Sequence, residues 1–189
     1  MITLIIVDCQ DDFISGTMTV NGAKKAIEEI KQYIKDNRIE IEKIIFTCDW
    51  HIYDHPSFKR NGGIWPTHCV QHTHGACIDS KLLKLVQGTG IPYEVYTKGE
   101  EVEQYGAFED IEITIDVLSK TYYFNEVSAN VNSDFVVCGI AGDYCVKATL
   151  ENMISAGISP KVFSNGIASI DGGKIIDKFI KNHNLEEVI

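Results

Sequence analysis

Positive charge is what this chain has least of: 17 Lys and Arg stand against 27 Asp and Glu, a formal charge of −10 at pH 7. A nucleic-acid footprint needs a basic face and an anionic membrane attracts clustered cations, so neither partner is expected. Long apolar runs are missing as well. None approaches the roughly 20 residues that cross a bilayer. The opening Met1-Ile2-Thr3-Leu4-Ile5-Ile6-Val7-Asp8 lacks the basic segment and small-residue cleavage site of a signal peptide, so a cytoplasmic location is expected. No internal repeat, low-complexity tract or linker interrupts the sequence, and residues 1–189 read as one domain. No Gly-x-Gly-x-x-Gly follows the first apolar run, which argues against a dinucleotide binder of the usual kind.

What is there suits a folded α/β enzyme. Hydrophobic residues make up 44% and charged residues 23%, close to globular averages and enough for a sizeable core. Cys9, Cys48 and Cys138 sit at the ends of apolar runs and read as buried thiols rather than disulfide partners. The runs Ile2–Val7, Lys43–Cys48, Tyr93–Thr97, Phe135–Ile140 and Lys161–Ser164 read as strands. Most are continuous, as in a parallel sheet covered on both faces. Ala23, Ala26, Ile27, Ile30 and Ile34 keep helical spacing. So do Val146, Thr149, Leu150, Met153, Ile154 and Gly157, with Asp143 as N-cap and Gly157 as stop. A third helix is expected from about Asp171 through Ile180. Alternation of this kind predicts a three-layer open sheet of about six mainly parallel strands with helices on both faces. Two stretches fit no period. Tyr53–Cys77, rich in His, Gly and Pro, reads as a long functional loop. Gly99–Asn132 is ambiguous, with a strand expected over Glu112–Ile115.

In open α/β sheets ligands bind beyond the carboxyl ends of the strands. Asp8, Gln10, Asp11 and Phe13 follow the first strand. Asp49, Trp50, His51 and His55 follow the second, and Lys98 the third. Gly139-Ile140-Ala141-Gly142-Asp143-Tyr144-Cys145 follows the fourth and opens a helix. Cys145 would lie in the first turn of that helix, where unpaired N–H groups and the helix dipole lower a thiol pKa and can hold an oxyanion. Asp8, leaving an apolar strand, would be desolvated, its pKa raised, and fit to donate a proton to a leaving nitrogen. Lys98 would balance the charges of both. Asp49 and His51, two apart, suit Zn²⁺, Fe²⁺ or Mn²⁺, with His55, His68, His72 and His74 as candidates for the remaining positions. Phe13, Trp65 and Tyr105 could wall a flat heteroaromatic substrate.

The chain resembles the nicotinamidase/pyrazinamidase group of the isochorismatase-like cysteine hydrolases. The resemblance rests on Val7-Asp8-Cys9-Gln10-Asp11-Asp12-Phe13, Asp49-Trp50-His51 with His55-Pro56-Ser57-Phe58, Trp65-Pro66-Thr67-His68-Cys69-Val70-Gln71, Lys98-Gly99, and Gly139 through Thr149. It implies a six-stranded parallel sheet and a catalytic triad of Asp8, Lys98 and Cys145. It implies a cis bond between Ile140 and Ala141, with the N–H groups of Ala141 and Cys145 as oxyanion hole. It implies metal ligation by Asp49, His51 and His68, with His55 a ligand in some members only. His72 stands where a glycine is common, and Gly142 where Thr or Ser is common. The implied activity is hydrolysis of nicotinamide to nicotinate and ammonia through a Cys145 thioester. A divalent metal, zinc ahead of iron or manganese, would bind the pyridine nitrogen, and a homo-oligomer is left open. The alternative is a related cysteine amidohydrolase acting on another small amide.

Overall fold

Leu4 and Ile6 face one side of strand β1 (Ile2–Val7), Ile5 and Val7 the other, and all four are fully buried. A strand that is apolar at every position therefore sits between two layers, each side chain leaving water on its own face. This is a computed structural model, and it describes residues 1–109, 113–116, 121–124 and 127–189. After β1 come α1 (Asp11–Ile14), α2 (Ala23–Asp36), β2 (Ile41–Asp49), α3 (Ser80–Thr89) and β3 (Tyr93–Lys98). There follow β4 (Ile113–Asp116), β5 (Thr121–Phe124), β6 (Val127–Asn130), β7 (Asp134–Ile140), α4 (Lys147–Ser155), β8 (Lys161–Ala168) and α5 (Lys174–Asn182).

The main sheet has five strands in the order β3-β2-β1-β7-β8, all parallel. Ala26, Ile27, Ile30 and Ile34 of α2, with Leu82 and Val86 of α3, pack against Leu4, Ile6, Ile44, Phe46 and Val136 on one face. Leu150 and Met153 of α4, with Ile176, Phe179 and Ile180 of α5, pack against Ile5, Val7, Ile45 and Val137 on the other. Each such side chain contributes about 1.5–3 kcal/mol when fully buried. The expected three layers are present.

Chain order reverses between β1 and β7, so a crevice opens beyond their carboxyl ends. Gly139, at φ +125°, pairs with Val7, and a Cβ there would fall 2.1 Å from the Val7 carbonyl oxygen. Only glycine lets the two central strands approach at this point.

The fold differs from the expectation in several places. Among the described residues the parallel sheet has five strands where about six were expected, and β4, β5 and β6 form a separate antiparallel sheet. Short runs of β-branched and aromatic residues joined by short connections favour such a meander over a crossover. The expected strand Glu112–Ile115 is β4, shifted by one residue; Glu112 itself lies outside the described residues. At the sheet's edge, β3 is only half covered, with Tyr93 and Val95 exposed. Asp143 does not cap a helix: its carboxylate accepts from the Ile170 and Asp171 N–H groups. The last helix begins at Lys174 because Asp171 turns back to accept from Gly173 and Ile175 N–H. Helix α3, which the pattern reading passed over, is capped by Asp79 accepting from Lys81 and Leu82 N–H.

Candidate active site

Every strand end that carried a chemically capable residue opens on one crevice. Asp8 leaves β1 at φ +48°, with its N–H bonded to the Thr47 carbonyl. Asp49 and Lys98 are register partners at the ends of β2 and β3. Beyond β7 the Ile140–Ala141 bond is cis, as expected, and one π-helical turn, Gly142–Val146, carries Cys145 before α4 begins.

Lys98 is buried among anions. Its Nζ lies 2.9 Å from Asp8 Oδ2, forms an ion pair with Asp49 Oδ1, and donates to Cys145 Sγ at 3.7 Å. The Asp8 and Asp49 carboxylates and the Cys145 sulfur offer atoms within 4.8 Å of one another. The sulfur thus faces the carboxylate instead of turning into the core. Thr47 Oγ1 donates to the other Asp8 oxygen at 3.0 Å.

These contacts set the proton affinities. Burial pushes the Asp8 carboxyl up, Lys98 pulls it part of the way back, and it settles at about 6. For Asp49, burial is outweighed by Lys98 and His51, which hold it well below the usual carboxylate range. Lys98 would lose affinity through burial, but Asp49, Asp8 and Cys145 raise it well above an ordinary lysine. The Cys145 thiol is pushed well up, first by burial and then by the two carboxylates, against the pull of Lys98. This corrects the expectation of a thiol acidified by a helix N-terminus. Cys145 is buried, and the local field is anionic.

Asp49 turns its second oxygen to two imidazoles. Oδ2 lies 3.5 Å from His51 Nε2 and 3.8 Å from His68 Nε2. His51 Nδ1 donates to the Gly99 carbonyl at 2.5 Å and His68 Nδ1 to the Pro66 carbonyl at 2.8 Å. Each imidazole therefore keeps its Nε2 lone pair free and aimed at one point, the arrangement that orients ligands of a divalent metal. Gly99, at φ +65°, allows the His51 ring to lie against the backbone: a Cβ there would meet Cε1 at 2.9 Å. The donor set, one carboxylate and two imidazoles, fits a divalent cation.

Three further histidines stand apart from this cradle. His55 stacks on His51 with ring centroids 4.3 Å apart. Its Nδ1 is 2.7 Å from Ser57 Oγ and accepts from Ser57 N–H. His55 thus packs behind the group formed by Asp49, His51 and His68. His74 is exposed and pairs with Asp11 at 3.2 Å. His72 packs edge-on against Trp50, and its φ of +62° is the left-handed conformation a glycine adopts freely.

A cleft lined by aromatic residues leads to these groups. Phe13, Trp65 and Tyr105 all line it, as do Asp49, His51, His68, Ala141 and Cys145. The enclosed volume is about 30 Å³, so the cleft is narrow. Tyr144, not singled out from the sequence, stands edge-on to Trp65 at 5.0 Å. Its place beside Cys145 was the available signal. Gln10 and Asp12, named beside the first strand but given no role from the sequence, fix the cradle. Gln10 Nε2 donates to the Asp49 and Ala76 carbonyls, and its Oε1 accepts from Asp49 N–H. Asp12 accepts from Cys69 and Thr17 N–H. Both are polar residues buried beside an apolar strand, where a partner is obligatory.

No family model matches the chain. It is 29% identical to the nicotinamidase of Saccharomyces cerevisiae over 220 residues, covering 100% of this chain and 99% of the relative. The pyrazinamidase of Pyrococcus horikoshii, solved in complex with zinc, superposes with a TM-score of 0.76 at 27% identity, covering 99% of this chain and 98% of that one. The yeast nicotinamidase bound to the inhibitor nicotinaldehyde superposes with a TM-score of 0.77 at 27% identity, covering 100% and 99%. Strand order and layering define the isochorismatase-like α/β fold. Within that fold the chain groups with the nicotinamidases and pyrazinamidases.

Proposed function

We propose that this protein hydrolyses nicotinamide to nicotinate and ammonia, with Cys145 as nucleophile. The observation that carries the reading is one contact set. A buried thiol stands within reach of a carboxyl at about 6 and a buried ammonium, at the end of an aromatic cleft beside an Asp49-His51-His68 cradle. The likeness to the yeast nicotinamidase over its full length supports the same chemistry.

With its high proton affinity Cys145 rests as a thiol, so attack needs a base in contact. Asp8, hydrogen-bonded to Cys145 and mostly ionised at neutral pH, takes the proton as sulfur bonds to the carboxamide carbon. The carboxamide oxygen becomes an oxyanion, held by the N–H groups of Ala141 and Cys145. Asp8 returns its proton to the nitrogen, the C–N bond breaks, and ammonia leaves a thioester. Water, deprotonated by Asp8, then splits the thioester and the thiol is restored. Lys98 stays charged throughout and offsets whichever anion is present. Phe13 and Trp65 flank the ring. Asp49, His51 and His68 would hold a divalent metal, zinc by preference, whose contribution is a Lewis-acid anchor for a ring nitrogen. On this reading the reaction returns the pyridine ring to synthesis of nicotinamide coenzymes, and a cytoplasmic location remains part of the proposal.

The test is ammonia release from nicotinamide by the purified protein, with and without added zinc, beside a panel of other small amides. Turnover of nicotinamide above the rest supports the reading. Preference for another amide assigns the site to a different amidohydrolase.

A further inference from the structure

We propose that Thr149 and Asn152 are positioning residues that fasten the tyrosine-bearing wall of the cleft to the helix of the nucleophile. This rests on the reading of Cys145 as nucleophile. Thr149 is fully buried one helical turn beyond Cys145. Its hydroxyl donates to the Cys145 carbonyl at 2.7 Å and accepts from Ala107 N–H at 3.1 Å. Asn152 follows on the same face, three residues on, and its side-chain oxygen accepts from Phe108 N–H at 3.3 Å. Ala107 and Phe108 are buried in the same apolar cluster as Val146 and Leu150, so the fastening is polar and apolar together.

The fastened segment forms one side of the cleft. Glu103, Gln104 and Tyr105 line it. Tyr105 donates to Glu103 and accepts from Trp65 Nε1 at 3.0 Å, which carries the connection across to the opposite loop. Gln104 braces the segment by accepting from Gly99 N–H and donating to the Glu109 carbonyl. One hydroxyl therefore touches both the nucleophile's backbone and the wall that holds the substrate ring. Asn152 touches the wall alone. Displacements near 1 Å in such supports can cost about 10²-fold in rate.

The two residues separate in kinetics. Thr149→Val removes the hydroxyl and keeps the shape. It should lower kcat and raise KM for nicotinamide together, with kcat/KM down about 10- to 100-fold. Thr149→Ser restores the bond and should return both to within about threefold. Asn152→Ala should raise KM several-fold and leave kcat within about twofold. A merely structural role would lower the melting temperature of each variant and leave the constants of the folded fraction unchanged. That result overturns the proposal. If Thr149→Val does not fold, an unchanged KM in Asn152→Ala overturns it alone. The rate of Cys145 alkylation by iodoacetamide, and the Trp65 emission spectrum read in a Trp50→Phe background, should shift in Thr149→Val and revert in Thr149→Ser. Those two readouts need no turnover, so a wild type inactive on nicotinamide counts against the function and not against the fastening.

Discussion

Asp49 and Lys98 end neighbouring parallel strands as register partners, and their side chains form an ion pair. One Asp49 oxygen meets the ammonium that also contacts Asp8 and Cys145; the other meets His51 and His68. A single carboxylate thus touches both the Asp8-Lys98-Cys145 cluster and the two imidazoles proposed to hold a metal. Three buried groups, two anionic and one cationic, leave one negative charge uncompensated, which a bound cation would offset. Asp49→Asn should therefore weaken both zinc binding and turnover. Metal content by elemental analysis, beside ammonia release, checks this; loss of one without the other would separate the two sites.

Cys145→Ala should reduce ammonia release by at least about 10³-fold, because the nucleophile acts as a unit with its base. Intact-protein mass spectrometry of the wild type quenched with nicotinamide should find the acyl group on Cys145. A label on any of the other five cysteines would reassign the nucleophile.

The rate should follow the protonation of Asp8. Its affinity is raised to about 6, and the step needs the ionised form to receive the thiol proton. Below that value each unit of pH should cost about tenfold in kcat/KM, and above it the profile should level off. Lys98, raised well above an ordinary lysine, adds no limb near neutrality. A profile that falls between pH 5 and 7 as pH rises would mean that Asp8 acts first as an acid.

Much of this site was legible because strand ends converge by topology. Once β1, β2, β3 and β7 are read as parallel, Asp8, Asp49, Lys98 and Cys145 must share an edge. Their proton affinities were legible only in part. Burial of Asp8 follows from the apolar strand before it, but the raised Cys145 depends first on how deeply the turn after β7 buries the thiol and then on two carboxylates from other strands. The turn of His55 Nδ1 toward Ser57, two residues away, follows from no spacing rule. Of the meander only β4 was expected; β5 and β6 escaped notice because four-residue strands offer too short a pattern to fix a period.

Removal of metal with a chelator should raise KM for nicotinamide more than it lowers the melting temperature, because the cradle sits in the cleft wall. His51→Ala and His68→Ala should each lose bound zinc, whereas His72→Ala and His74→Ala should keep it, since neither imidazole reaches Asp49. Zinc retained after His68→Ala would remove that residue from the ligand set.

Gln10 offers the sharpest test of how the cradle is held. It is fully buried and spends both ends of its amide on the backbone of Asp49, with a further bond to Ala76. Gln10→Leu keeps the volume and strips those bonds, leaving three buried backbone groups without this partner. Each costs about 1–3 kcal/mol when unsatisfied, so a loss of roughly 3 kcal/mol in urea unfolding is expected. Because two of the three groups freed belong to Asp49, zinc affinity should fall as well, and at zinc concentrations that saturate the wild type. A variant equally destabilised by a core truncation on the far face, such as Ile180→Ala, should keep its zinc affinity. If both lose zinc alike, Gln10 acts through general stability and not through the placement of Asp49.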